Sequence, residues 1–428
     1  MNFKTFNKIT GLFVFLFSVI IYIMTVQPTL SFWDCGEFIA CAFTVGVPHP
    51  PGAPLHTLVG KIFTMLPTSP DIGLRVNYLS VFSSAFCVLF LYLFSVKVIN
   101  NWKGNPNNFY QIFTVCISAA IGALSYAFCD SFWFNAMEAE VYGFGTFLIG
   151  LCTYLLMVWW EKADEPGSDR YLLFMCYVVG LALGIHLLVA QMIFVAGLLF
   201  YFRRYTYTRN SLIIAFLISS VAFFIVYPGI VKKFPSIINV SGIFGVIILG
   251  LVIFGIYYGR AKKIAMLSLF CLSVFLVILG YSTYISVLQR SAVTNLPLDE
   301  NNPDNLTTLL SYLNREQYGE QPFLDRRYSP EPQHRPTWEN YTGDFDFMWR
   351  YQINHMFTRY LLWQYVGRAG YDQNDGIDYK FLGIPMALGL LGIWVHFRRD
   401  WKLAFVFMMM FIAMGVVTAL YQNQQDPQ

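Results

Sequence analysis

Two carboxylates three residues apart, Asp34 and Glu37 in Ser31-Phe-Trp-Asp-Cys-Gly-Glu-Phe38, stand just past the first long apolar run of the chain. Carboxylates are costly in lipid, so a pair at a membrane boundary is a functional hypothesis by default. A helical turn through 34–37 would place both on one face, which suits a general base. The competing reading is that Asp34 caps a helix and Glu37 hydrates a loop. Glu138 and Glu140, in Glu138-Ala-Glu-Val-Tyr142, form a second acidic pair at the mouth of a later apolar run. The two pairs are expected to converge on one outer cavity.

Histidines and arginines are the other reactive types. Val47-Pro-His-Pro-Pro-Gly-Ala-Pro-Leu-His56 carries four prolines and Gly52, so it reads as a rigid, non-helical stretch. His49 and His56 would donate from it to sugar or phosphate oxygens, or be incidental to a stiff loop. His186 follows Gly184 at a break between two apolar runs, and broken helices at membrane depth line cavities. The run Asn314-Arg-Glu-Gln-Tyr-Gly319 gathers Arg315, Glu316, Gln317 and Tyr318, and an arginine fork matches phosphate oxygens in pairs. Arg359, Trp363 and Arg368 recur near helical spacing. An indole there could stack on a sugar or isoprenoid while its neighbours bind phosphate, or the segment is an interfacial amphipathic helix.

These residues need a scaffold, and composition supplies it. Hydrophobic residues make up 56% of the chain, aromatics 18% and charged residues 12%, too apolar for a soluble domain of 428 residues. Runs long enough to cross about 30 Å of hydrocarbon lie near 9–26, 76–96, 110–128, 142–160, 211–227, 242–258, 264–284, 381–397 and 403–421. The stretch 171–202 reads as two short helices meeting at Gly184-Ile-His186. About eleven crossings are expected, in an all-α polytopic membrane protein with an irregular extracytoplasmic cap. With the amino terminus inside, the inner segments hold fifteen lysines and arginines and the short outer loops four, so that orientation is the expected one. No small-residue cleavage site follows the first run, which therefore reads as a retained anchor.

The organisation expected is a transmembrane catalytic module over 1–284 with its first outer loop at 27–75, an outer segment at 285–380, and further membrane helices over 381–428. The polar tail Gln422–Gln428 follows the last run directly and reads as a truncation. The net charge of +3 carries little information because sign is partitioned by membrane side. No basic stripe suggests a nucleic-acid partner. The eight cysteines lack metal spacing; Cys35 and Cys41 would face an oxidising compartment, where a disulfide is open to them.

Six motifs in order, Phe32-Trp-Asp-Cys-Gly-Glu-Phe38 with His49-Pro-Pro-Gly-Ala-Pro54, then Glu138-Ala-Glu-Val-Tyr142, Gly184-Ile-His-Leu-Leu188, Asn314-Arg-Glu-Gln-Tyr-Gly319 and Arg359-Tyr-Leu-Leu-Trp363, carry a resemblance over essentially the whole chain. It resembles a bacterial multispan membrane family formerly of unknown function. That family is similar to the vertebrate endoplasmic-reticulum protein O-mannosyltransferases that modify plexin-type immunoglobulin-like domains, and so to the GT-C class of membrane glycosyltransferases. The resemblance implies a GT-C-like fold in the bacterial inner membrane with its active site outside. It implies transfer of a mannose-like sugar from a polyprenyl-phosphate carrier to an exported protein, with Asp34 or Glu37 as catalytic base. The family pattern continues past the end of this chain.

The expected chemistry follows from both lines. A serine or threonine hydroxyl gives its proton to Asp34 or Glu37 and attacks the anomeric carbon opposite the lipid phosphate, with inversion. Arg315, Arg359 or Arg368 meets the charge on the leaving phosphate. No metal or resident cofactor is required for a monophosphate; a diphosphate donor would call for Mg²⁺ on Glu138 and Glu140. Two other classes fit the same features: a lipid or solute transporter or flippase, and an envelope assembly protein. Within the enzyme class the acceptor is alternatively a glycan or lipid.

Overall fold

The computed structural model describes residues 2–425 except 320, 321, 323, 330 and 333. It divides into two compact units, one of Met1–Phe128 with Phe132–Gln317, the other of Cys129–Ser131 with Tyr318–Gln428. The division falls inside the run Asn314–Gly319.

In the first unit the helices are α1 Phe3–Thr25, α2 Cys35–Thr44, α3 Pro54–Met65, α4 Ile72–Lys103, α5 Phe109–Ala127, α6 Asp130–Ala136, α7 Val141–Lys162 and α8 Arg170–Ala182. They continue with α9 Gln191–Arg204, α10 Arg209–Phe224, α11 Phe234–Val240, α12 Gly242–Ala261, α13 Ala265–Tyr281, α14 Ile285–Ser291 and α15 Leu306–Asn314. The chain is an all-α polytopic membrane protein. Among the described residues nine helices are long and apolar enough to cross a membrane, where eleven crossings were expected. The two others, α8 with 13 residues and Ile384–Arg399 with 16, are too short alone for that thickness at about 1.5 Å per residue. The break expected at Gly184-Ile-His186 separates α8 from α9.

Small residues let these helices approach closely, as membrane packing requires in the absence of a hydrophobic drive between helices. A Cβ on Gly180 of α8 would lie 2.4 Å from the Val277 carbonyl of α13, and one on Gly280 would lie 2.5 Å from the Leu181 nitrogen. Buried polar side chains add specific ties. Tyr22 of α1 donates to the Ala127 carbonyl of α5 at 2.8 Å, and Tyr92 of α4 donates to Asn7 Oδ1 at 2.7 Å.

In the second unit a wide-turned helix, Phe347–Thr358, runs into Arg359–Tyr365, and Ile384–Arg399 and Trp401–Ile412 follow. Buried Gln352 binds the polar tail through Asn423 Oδ1 at 2.8 Å, and Asn423 donates to the Pro322 carbonyl at 2.7 Å. Residues 426–428 of that tail lie outside the described residues.

Candidate active site

The site grows from α4, whose buried Asn77, Ser80 and Ser84 stand at helical spacing and form a polar stripe in an apolar helix. Asn77 Nδ2 donates to the carbonyls of Gln27 and Thr29, both at 2.8 Å, which fixes where the chain leaves α1. The Gln27 amide donates to the Met137 carbonyl at 3.0 Å, and Ser80 Oγ to the Glu140 carbonyl at 3.3 Å. Gly143 lets α7 close onto α4, since a Cβ there would sit 3.0 Å from Ser84 Oγ. One pillar therefore holds both acidic segments. Sequence reasoning passed over these α4 residues, although polar side chains at i, i+3 and i+7 in an apolar run were a readable signal.

Asp34 occupies the position before α2 at which a side chain would cap the helix, yet it makes no capping hydrogen bond. Its side chain is 57% exposed. Glu37, in the first turn, is 20% exposed, and both of its oxygens meet His49. Oε1 accepts the His49 amide at 2.5 Å and Oε2 lies 2.8 Å from Nδ1. On the other side of the ring Nε2 is 3.9 Å from Asp34 Oδ2. Glu37's hydrogen bond lifts the imidazole above its ordinary pKa, against its burial and the Arg315 charge. Trp33, which leads into Asp34, is in the left-handed region at φ 61°, a costly conformation for a bulky residue.

Behind this pair lie Glu138 and Glu140, both buried. Glu138 Oε2 accepts from Ser31 Oγ at 2.7 Å, and burial raises its pKa. Glu140 caps α7 on its own neighbour's amide, and Cys35 Sγ approaches its Oε1 at 3.9 Å. Burial pushes Glu140 up to about 7, with Asp34 and Glu138 adding to the rise. The two acidic pairs expected to converge are brought within electrostatic reach of each other. Cys35 and Cys41 are free thiols. Six residues apart on one helix they are separated by roughly 9 Å of rise, too far for the disulfide left open to them.

The loop that presents His49 is clamped along its length. Val47 makes an isolated bridge to Asp299, its amide donating to the Leu298 carbonyl and its carbonyl accepting the Glu300 amide. Buried Tyr312 donates to the Pro48 carbonyl, and Tyr284 to the Pro51 carbonyl at 3.0 Å. Gly52 is required here, at φ +73° with a notional Cβ 2.4 Å from the Tyr312 hydroxyl.

His56 differs from its expected place on that loop. Pro54 begins α3, a favoured position for proline, and His56 is buried on the first turn against the Phe38 ring. Burial lowers its pKa to about 4. His186 caps the short helix Leu187–Ala190, its Nδ1 accepting the Leu188 amide at 3.2 Å, with the Tyr142 ring 5.8 Å away. Arg315 ends α15 in a left-handed turn, and its charge reaches both His49 and His186. Glu316 folds back on Ser311 at 2.7 Å, while Gln317 and Tyr318 are exposed.

Arg359, Trp363 and Arg368 come together in the second unit. The Arg359 guanidinium lies 4.4 Å and the Arg368 guanidinium 4.2 Å from the centre of the buried Trp363 ring. Arg359 donates to the carbonyls of Gln373 and Asp375 at 2.6 and 2.9 Å, and Trp363 Nε1 to that of Gly376 at 3.1 Å. Arg368 likewise holds the carbonyls of Tyr371 and Asp372. The trio gathers the 371–376 loop, and both guanidiniums already lie against the indole.

Asp34, Glu37 and His49 are also the group, among the described residues, able to bring three donor atoms within 4.8 Å of one another. Within it Glu37 and Nδ1 are engaged with each other.

Helices long enough to cross a membrane, with buried and exposed carboxylates around a histidine at one end of the first unit, define an integral membrane protein with a polar site at the end of its helices. Residues 34–209 match the family model described as the protein O-mannosyl-transferase TMEM260 N-terminal domain. The chain is similar to the protein O-mannosyl-transferase tmem260 of Dictyostelium discoideum, 27% identical over 161 residues, 37% of this chain and 18% of that protein. It is similar also to the protein O-mannosyl-transferase TMEM260 of Mus musculus, 26% identical over 166 residues, 38% of this chain and 21% of the mouse protein. The matched stretch thus spans about a fifth of the length of these curated relatives. No solved structure matches the chain.

Proposed function

We propose that the chain is a membrane glycosyltransferase of GT-C type. It moves a mannose-like sugar from a polyprenyl-phosphate carrier to a serine or threonine of an exported protein, with inversion, on the extracytoplasmic face of a bacterial inner membrane. The observation that carries this reading is Asp34, a carboxylate at a helix start that does not cap the helix and stands exposed beside Glu37 and His49. The similarity over 34–209 to protein O-mannosyl-transferases begins at that residue.

The acceptor hydroxyl gives its proton to Asp34 as its oxygen attacks the anomeric carbon, and the bond from that carbon to the phosphate oxygen breaks with its electrons. Asp34 suits this role better than Glu37, whose two oxygens are occupied by His49. Arg315, in the same unit, is the cation assigned to the departing phosphate, the electrostatic help on which such a step depends. Buried Glu138 and Glu140 line the wall behind Asp34, where burial raises the pKa of both.

Mass spectrometry of exported proteins from cells with and without the gene tests the reading. Loss of a single hexose from serine or threonine is expected in the deleted strain. An unchanged hexose pattern, or binding of the carrier without turnover, would overturn it, the latter in favour of a transporter.

A further inference from the structure

We propose that His49 is the proton acceptor behind Asp34: Asp34 removes the hydroxyl proton and hands it to His49 Nε2, while Glu37 holds the opposite ring nitrogen. This rests on the transfer reaction proposed above and adds where its proton goes.

The hydrogen-bond inventory of the three side chains leads there. An ionised carboxylate only accepts, so the 2.8 Å contact between Glu37 Oε2 and Nδ1 places the ring proton on Nδ1. In the neutral ring Nε2 is then a bare lone pair. It faces Asp34 Oδ2, also an acceptor, with no proton to share, and the two stand 3.9 Å apart, beyond hydrogen-bond length. A proton arriving on Asp34 supplies the missing donor, and the contact can close. Glu37, His49 and Asp34 thus form a chain of carboxylate, imidazole and carboxylate in which the outer carboxylate is the exposed one.

The ring is held for this task. Its backbone amide is fixed by Glu37 Oε1, its loop by Tyr312 and Tyr284, and its face by Phe38 at 5.6 Å. The charges around it are Asp34, Glu37 and Glu140 on the anionic side and Arg315 on the cationic side. Asp34 and Glu37 against one cation favour proton uptake by the imidazole, and Glu140 adds to them where it is ionised. An imidazole is also a better final holder of the proton than a carboxylate, whose ordinary pKa is about two units lower.

The bookkeeping of atoms closes. The acceptor O–H bond breaks and the oxygen–C1 bond forms; the C1–phosphate oxygen bond breaks and the phosphate leaves with the electron pair. The proton rests on Nε2 with Nδ1–H still donating to Glu37, and passes to water after release, the His49 side chain being 31% exposed.

The test uses the full-length protein in proteoliposomes with polyprenyl-phosphate mannose and a serine/threonine peptide, with single-turnover rates measured from pH 5 to 9. Expected is an acid limb in which the rate rises with a midpoint above the ordinary imidazole value. H49Q should lower the rate roughly 10²-fold and remove that limb; E37Q should lower the rate less than H49Q and move the limb to lower pH; E140Q should retain a limb, moved to lower pH by less than in E37Q. Transfer by the unaltered protein with a rate flat above the carboxylate range would overturn the relay alone, as would a limb that survives in H49Q or vanishes in E140Q instead. Complete absence of transfer by the unaltered protein would overturn the transferase reading and the relay with it.

Discussion

Ser31 donates its hydroxyl to Glu138 Oε2 at 2.7 Å across 107 residues of sequence, stitching the segment before Asp34 to the segment before α7. The bond favours the anionic form of a carboxylate whose pKa burial raises.

S31A should therefore leave Glu138 buried without that donor, at a cost of about 1–3 kcal/mol if the carboxylate stays ionised. The expected outcome is a Glu138 pKa higher than in the unaltered protein and a lower melting temperature at pH 8 than at pH 6. Infrared titration of the carboxyl band, paired with thermal unfolding in detergent, reads both. An unshifted band would contradict the coupling.

The loop carrying His49 depends on Gly52 and Tyr312. G52A combines a left-handed backbone with a clash against the Tyr312 hydroxyl, and a loss of 2 kcal/mol or more, roughly, is expected. Y312F removes the bond to the Pro48 carbonyl alone, a loss of about 1 kcal/mol. Limited proteolysis at 45–54 should increase in the order unaltered, Y312F, G52A. Equal protection in all three would show that the clamp does not hold the loop.

Glu140 makes stability pH-dependent in a stated direction. Its folded pKa is raised to about 7 from 4.5, so the folded state binds more protons than the unfolded chain between these values. Stability contributed by the protonated form is full below 4.5 and is lost as pH rises through 7. E140Q, which cannot ionise, should be more stable than the unaltered protein at pH 8 by up to roughly 3 kcal/mol, and equal to it near pH 4.5. Thermal unfolding across that range checks the sign; a gain at low pH and none at high pH would contradict it.

Much of this was readable from residues alone. The apolar runs gave α1, α4, α5 and α7 because a membrane crossing demands a continuous run, and Gly184 marked the break between α8 and α9. The convergence of Asp34 and Glu37 with Glu138 and Glu140 was expected because both pairs stand at the same end of neighbouring hairpins. Three features were hidden. His56 was placed on a loop because the prolines around it read as breakers, when Pro54 starts a helix. The partnership of Glu37 with His49 depends on a loop path set by Tyr312 and Tyr284, more than two hundred residues away in sequence. The spacing of Arg359, Trp363 and Arg368 was visible, but the 371–376 loop whose carbonyls they hold has no periodic signature.

In the proposed reaction the exposed carboxylate of Asp34 receives the acceptor's proton. The most direct test of this role is mannose transfer from a polyprenyl-phosphate donor to a serine/threonine peptide by full-length D34N beside the unaltered protein, in matched proteoliposomes with equal protein and equal melting temperature. Transfer by the unaltered protein and a loss of at least 10³-fold, roughly, in D34N are expected. Transfer by D34N at the unaltered rate would contradict the role.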